Sequence, residues 1–285
     1  MNIEIRTFFY LCLCIVVFNS CAKNHASAKK IASKFERKNL EIQIQTKRFN
    51  DLKIRFAELN VTADDSNVVI FIHGAPGNLL TFSEIMMNHE LNSVARLIAV
   101  DRLGYGSSEY GVPFTSIKMQ AEAIETIIDK QTGWSKIILV GHSYGGPIAA
   151  KIAIDNPEQI AHIMLLAPAI APEHEKIMWY SRLARNPPVK WFLSKAWKVA
   201  TEEKFSHQHE LEILEPDWVK LVVPVTYVHS KKDKLVSYQN MEYARMHFIN
   251  TDTEFISLEK GNHQLSKNEE ELIIKKILEV LQNED

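Results

Sequence analysis

Six short, continuously apolar runs limit what this chain can fold into: "VVIFIHG" from Val68, "ARLIAVD" from Ala95, "KIILVGHS" from Lys136, "HIMLLAPA" from His162, "VPVTYVHS" from Val223 and "EFISLEKG" from Glu254. Runs without polar alternation suit parallel strands buried on both faces. Between them, residues 117–130, 144–154, 238–248 and 270–281 carry helical spacing. Ahead of them, "LEIQIQTKRFNDLKIRFAEL" alternates with period two on either side of Asn50 and Asp51, which predicts an antiparallel hairpin. Strand and helix signals in alternation predict an α/β fold, a mostly parallel, doubly wound sheet of about eight strands.

One connection departs from the usual loop of about 4–6 residues. Residues 170–221 separate the fourth and fifth runs and hold Trp179, Trp191, Trp197 and Trp218, four of the five tryptophans. Within it Val189, Phe192, Leu193, Ala196, Trp197 and Ala200 share one helical face. A small helical cap inserted between strands 6 and 7 is expected, and such a lid at the ligand end of an open sheet forms a pocket wall.

Composition narrows the class of partner. Of 285 residues 46% are hydrophobic, and 33 basic against 35 acidic residues leave a net charge of −2, with no Walker loop or zinc-finger spacing. Nothing here favours nucleic acid. All three cysteines, Cys12, Cys14 and Cys21, fall in "RTFFYLCLCIVVFNSCAKN", whose apolar core of about a dozen residues is shorter than the roughly 20 a spanning helix needs. The segment reads as an export signal over residues 1–21. "FNSC" resembles a relaxed bacterial lipobox, which implies lipidation at Cys21 and an exported lipoprotein held on the periplasmic or outer side of a membrane. A soluble secreted form, cleaved at "ASA" (Ala26–Ala28), is the alternative. Past Cys21 no cysteine remains to form a disulfide. Residues 22–39, polar and basic, are expected as a flexible tether of up to roughly 60 Å, ahead of a domain over 40–285.

The chemistry-bearing stretch is "LVGHSYGGPI". Ser143 follows a strand signal and precedes a helix signal, and Gly141 and Gly145 remove the Cβ atoms that would clash in so sharp a turn. The following helix N-terminus offers N–H groups to an oxyanion. With "HGAPG" (His73–Gly77) after one strand and "DRLGYGSS" (Asp101–Ser108) after the next, the chain resembles the α/β-hydrolase fold superfamily over roughly residues 40–281.

That resemblance implies a nucleophile elbow at Ser143 and an oxyanion hole from the backbone N–H groups of Ala75 and Tyr144. His73 is implied as structural, and Asp101–Ser108 as scaffold. A serine needs a base and an orienting carboxylate to react at neutral pH. The superfamily order is serine, acid, histidine, which implies His263 in "LEKGNHQLS" as the base and Asp233, just past the apolar run "VPVTYVHS", as the acid. The expected activity is cofactor-free hydrolysis of a carboxylic ester or related acyl bond with an apolar acyl group.

Two alternatives stay open. A proline-type aminopeptidase also carries an H-G-x-P-G loop and needs acidic cap residues, for which Glu202, Glu203, Glu210, Glu212 and Glu215 are candidates; a solvated helix face is the plainer reading of them. The other is an inert binding module on the same fold. "HQHE" (His207–Glu210) looks loosely like metal ligands, but it lacks a second cluster and reads as an exposed stretch, so no metal is expected.

Overall fold

The computed structural model describes residues 26–60, 67–128, 134, 136–177 and 179–282. The export-signal run and Cys21 lie outside the described residues. No helix among those described is long and apolar enough to cross a membrane.

All six apolar runs are strands, and the hairpin supplies two more. In chain order they are β1 Gln43–Phe49, β2 Leu52–Leu59, β3 Asn67–Ile72, β4 Arg96–Val100, β5 Lys136–His142, β6 Ile160–Leu166, β7 Val225–Ser230 and β8 Thr253–Leu258. They form one sheet in the order β1-β2-β4-β3-β5-β6-β7-β8. The β1–β2 and β2–β4 pairings are antiparallel and the rest parallel. Both faces are covered: in β3, Val68, Ile70 and Ile72 join one buried cluster while Val69 and Phe71 join the other. Two-sided burial is why the runs are continuous.

The first cluster packs under helices Ile117–Glu125, Gly145–Asp155 and Gln239–His247; the second lies under Glu270–Gln282 and a helix at the chain's beginning. That helix corrects an expectation. Residues 28–36, read as part of a flexible tether, form α1 (Ala28–Glu36), with Ser27 accepting from Lys30 N and with Ile31 and Phe35 buried. Two apolar residues one turn apart are enough to dock a helix whose other side is lysine-rich, each burial contributing about 1.5–3 kcal/mol. So sparse a stripe is faint in sequence.

The long connection between β6 and β7 is helical: a 3-10 turn at Pro172–His174, α2 (Trp179–Arg185), α3 (Pro187–Phe192), α4 (Lys195–Leu214) and a 3-10 turn at Glu215–Lys220. The single helical face expected over 189–200 is interrupted. Ser194 caps α4 by accepting from Trp197 N, and Leu193 is extended. A serine in mid-pattern offers the backbone a cap, and here the cap wins. Trp218 is fully buried against Phe248, whereas Trp191 is 76% exposed.

Candidate active site

The turn after β5 carries the first group. Ser143 has φ +53°, a left-handed conformation that costs a non-glycine residue about 1–3 kcal/mol. Close packing leaves no room around it. A Cβ on Gly141 would lie 2.5 Å from Gly145 O, and one on Gly145 would lie 2.3 Å from Ile72 O. Ser143 N donates to Leu166 O at 2.9 Å, which ties the turn to the end of β6.

The loop after β3 meets this turn: a Cβ on Gly74 would fall 2.9 Å from Ser143 Cβ. Ala75 follows, joined to Pro76 by a cis peptide bond. His73, expected to be structural, holds the loop from below. Its Nδ1–H donates to Gly74 O (2.7 Å) while Nε2 accepts from Arg102 N (3.1 Å), which defines a neutral tautomer. Burial, and secondarily the Arg102 charge, hold its pKa well below the ordinary value. Asp101 is scaffold, as expected, accepting from Arg55 Nε (2.6 Å), Leu79 N (2.9 Å) and Ser107 N (3.0 Å).

The loops after β7 and β8 bring Asp233 and His263 into direct contact. Asp233 Oδ1 accepts from Leu235 N (2.8 Å) and Val236 N (3.0 Å), so the carboxylate cannot rotate; Oδ2 accepts from His263 Nδ1 at 2.7 Å. Burial pushes the Asp233 pKa up, but hydrogen bonds from His229 and His263 outweigh it and hold the carboxyl well below the usual range. Since His263 Nδ1 carries the donated proton, Nε2 is the basic nitrogen.

Two other carboxylates after Ser143 are engaged elsewhere. Asp155 pairs with Lys151 (2.5 Å) and Asp217 with Lys220 (2.7 Å), while Glu173 is exposed. Ser143 joins the Asp233–His263 pair through its neighbour. His142 Nε2 donates to His263 O at 2.8 Å, and the two rings lie 4.9 Å apart.

Three residues of this assembly have roles that the sequence does not assign. His142 is buried and its pKa falls to about 3, first through burial and then through repulsion by His263, so it stays neutral and anchors the His263 loop. His229, fully buried, places Nε2 3.2 Å from Val236 O and 3.4 Å from Asp233 Oδ2. Arg102, also fully buried, donates from Nε to His73 O (2.8 Å) and from Nη2 to Gly74 O (3.1 Å), the backbone of the Ala75 loop. His142 and Arg102 have no local signature, because each acts on a partner distant in sequence, whereas His229 lies within seven residues of both its partners and reads only as part of a buried strand.

Arg102 also corrects the reading of the insert's glutamates. Glu203, expected on a solvated face, is fully buried and takes Arg102 Nη1 (2.7 Å), Arg102 Nη2 (3.1 Å) and Tyr105 Oη (2.5 Å). His207, read as exposed, is likewise buried: Nε2 donates to Ala169 O (3.0 Å) and its ring lies 4.3 Å from that of Tyr144. His209 points outward at 75% side-chain exposure, so the two do not converge. Among the described residues no group of three potential ligands can hold a metal ion. Tyr144 itself packs between His207 and Arg102, with its hydroxyl donating to Thr115 O (2.9 Å).

Comparison with known proteins agrees with this architecture. The family model described as alpha/beta hydrolase fold matches residues 67–188. Lipase LipV of Mycobacterium tuberculosis is 32% identical over 109 residues, 38% of this chain and 40% of that protein. Epoxide hydrolase 4 of Mus musculus is 30% identical over 121 residues, 42% of this chain and 33% of that one. The match therefore spans two fifths or less of these relatives' length. A bacterial membrane phospholipase A superposes with TM-score 0.67 at 17% identity, covering 99% of this chain and 98% of that one. With its eight strands in this order, the sharp turn after β5 and the helical insert after β6, the chain has the α/β-hydrolase fold.

Proposed function

We propose that the protein is a serine hydrolase that cleaves a carboxylic ester or related acyl bond through an acyl-enzyme intermediate. The observation that carries this reading is the Asp233 carboxylate, clamped by two backbone N–H groups and bonded to His263 Nδ1 at 2.7 Å. That bond leaves His263 Nε2 as a base in the loop tied to His142, next to Ser143. In the proposed cycle Ser143 Oγ attacks the carbonyl carbon as its proton passes to His263 Nε2. Asp233 stabilises the imidazolium, and the N–H groups of Ala75 and Tyr144 stabilise the oxyanion. Collapse expels the alcohol, which takes the proton from His263. Water, deprotonated by the same nitrogen, then releases the acid and regenerates Ser143.

The acyl side of the substrate is read as apolar because α4 sets Ala196 and Val199 against Tyr105 and Ala75, beside the proposed oxyanion loop. No cofactor enters the cycle. The aminopeptidase reading needs carboxylates able to hold a substrate ammonium, and three of the insert's candidates are committed. Glu203 is bound to Arg102, Glu202 pairs with Arg185 (2.9 Å) and Lys190 (3.0 Å), and Glu210 accepts from Ile117 N (2.9 Å). Relatives include an epoxide hydrolase, but the superfamily members that open epoxides use a carboxylate where this chain has Ser143.

For localisation we propose the Cys21-anchored form over the secreted one. Cleavage at Ala26–Ala28 would remove the Ser27 cap of α1 and the Ala26 carbonyl that accepts from Arg55 Nη1 at 2.9 Å.

Labelling with a fluorophosphonate tests the function directly. The wild-type chain is expected to form one adduct at Ser143, and Ser143→Ala to form none and to hydrolyse a p-nitrophenyl ester about 10³-fold or more slower with an unchanged melting temperature. Retained turnover in that variant overturns the assignment, and turnover of a prolyl anilide in preference to the ester overturns the substrate class.

A further inference from the structure

Helix α3 of the insert is amphipathic the wrong way round for a helix that packs on its own protein. Pro187, Pro188, Trp191 and Phe192 stand at i, i+1, i+4 and i+5, one face of the helix, and all four face solvent. Trp191 is 76% and Phe192 66% exposed, and no residue of α3 is buried. Exposed apolar faces of this kind mark contact surfaces.

The charges around it identify the contact. From Lys176 to Ala200 the chain has six basic residues, Lys176, Arg182, Arg185, Lys190, Lys195 and Lys198, and no acidic one. Glu202 offsets only part of this charge, through Arg185 and Lys190. Lys176, Arg182, Arg185 and Lys195 are exposed and flank the aromatic pair in the chain. An exposed tryptophan and phenylalanine in a stretch that is basic throughout, on a chain whose overall charge is −2, complement the boundary between headgroups and acyl chains in an anionic bilayer.

The path of the chain points the same way. The described chain begins at Ala26, whose carbonyl accepts from Arg55 Nη1, and Arg55 Nε binds Asp101 Oδ2 at the C-terminal end of β4. The next residue, Arg102, holds Glu203 of the insert. Residues 1–25, with their apolar run and Cys21, therefore join the molecule at the pole that carries the insert. Five residues from Cys21 to Ala26 span at most about 18 Å. An anchor there would bring this pole toward the membrane.

We propose that the α3 face, centred on Trp191 and Phe192 and flanked in the chain by Arg182, Arg185 and Lys195, docks on an anionic phospholipid surface. The docking does not depend on the proposed hydrolase activity, and it is distinct from attachment through Cys21.

A site-specific reporter separates it from any binding by the N-terminal segment. In the full chain with Cys12, Cys14 and Cys21 each changed to serine, Trp191→Cys creates a single attachment point for an environment-sensitive fluorophore. Ile249→Cys, 65% exposed and preceding β8 at the opposite pole, is the control. Equimolar phosphatidylglycerol and phosphatidylcholine vesicles are expected to give a blue shift and severalfold brightening at position 191 and no change at 249, weakening as salt is raised. No response at 191, an equal response at 249, or an equal response on pure phosphatidylcholine overturns the proposal. A response that grows with protein concentration in the absence of vesicles also overturns it, in favour of a second copy as the occupant. Turnover of a short water-soluble ester by the same protein reports on the hydrolase reading alone, so either proposal can fail without the other.

Discussion

Two carboxylates, Asp233 and Glu203, are both buried to zero side-chain exposure, yet their partners give them different work. Asp233 faces His263 and His229, and its second oxygen is fixed by backbone N–H groups of its own turn. Glu203 faces Arg102 and Tyr105, and Arg102 in turn grips the carbonyls of His73 and Gly74. An imidazole can gain and lose a proton near neutrality, so the charge of the first pair can change during a reaction. A guanidinium cannot, so the second pair is a permanent clamp between the insert and the loop carrying Ala75. Neither carboxylate side chain is exposed, and the partner's chemistry sets what each one does.

Removing each charge should therefore fail in different ways. Asp233→Asn is expected to keep the fold and lower ester turnover by up to about 10⁴-fold, because the imidazole loses both its orientation and its counter-charge. Near-normal turnover in that variant would erase the distinction between the two carboxylates. Glu203→Gln leaves Arg102 charged and unpaired in the interior, and calorimetry is expected to record a loss of about 3–5 kcal/mol with turnover per folded molecule largely kept. Replacing both partners together, as Arg102→Met with Glu203→Leu, is expected to recover most of that loss, since no charge then remains buried. A double variant as unstable as the single one would show that the clamp works through its hydrogen bonds and not its charge.

The effect that is smallest per pH unit sharpens the Asp233 side. His142 has its pKa lowered from 6.5 to about 3, so it binds a proton more readily when unfolded. Its contribution is complete above pH 6.5 and is lost as pH falls toward 3, by about 1.4 kcal/mol per pH unit. His73 and His207, also lowered by burial, add to the same slope. Asp233, lowered from 3.8, keeps its full contribution above that value; between pH 6.5 and 4 His162, lowered to about 4, adds to the histidine slope, while the raised carboxyls of Asp101, Glu125 and Glu270 oppose it, so over that interval the comparison with a His142 variant isolates His142. Melting curves across it are expected to be shallower for His142→Asn; an unchanged slope would mean that His142 is not held neutral by the fold.

How far the site could be read in advance follows from the range of each interaction. Ser143, Gly141 and Gly145 were legible because a strained strand-to-helix turn needs its small residues within four positions. Asp233 and His263 were legible only through resemblance, by their places after the last two strands. Glu203 was misread because a glutamate in a charged helix looks solvated unless its partner, 101 residues away, is known. His207 was misread for the same reason, and α1 because two apolar residues in a basic stretch resemble a tether.

The sequence alone determined the order of strands and helices, the two-sided burial of the sheet and the sharp turn at Ser143. These depend on local patterns: side-chain periodicity, and steric limits over a few bonds. Tertiary structure alone decided which histidine braces which loop, which glutamate is neutralised inside and which aromatics are left outside. Those outcomes depend on which surfaces meet across the sheet. The cost of burying a charge is set by the partner the fold delivers to it, and that partner has no fixed place in the chain.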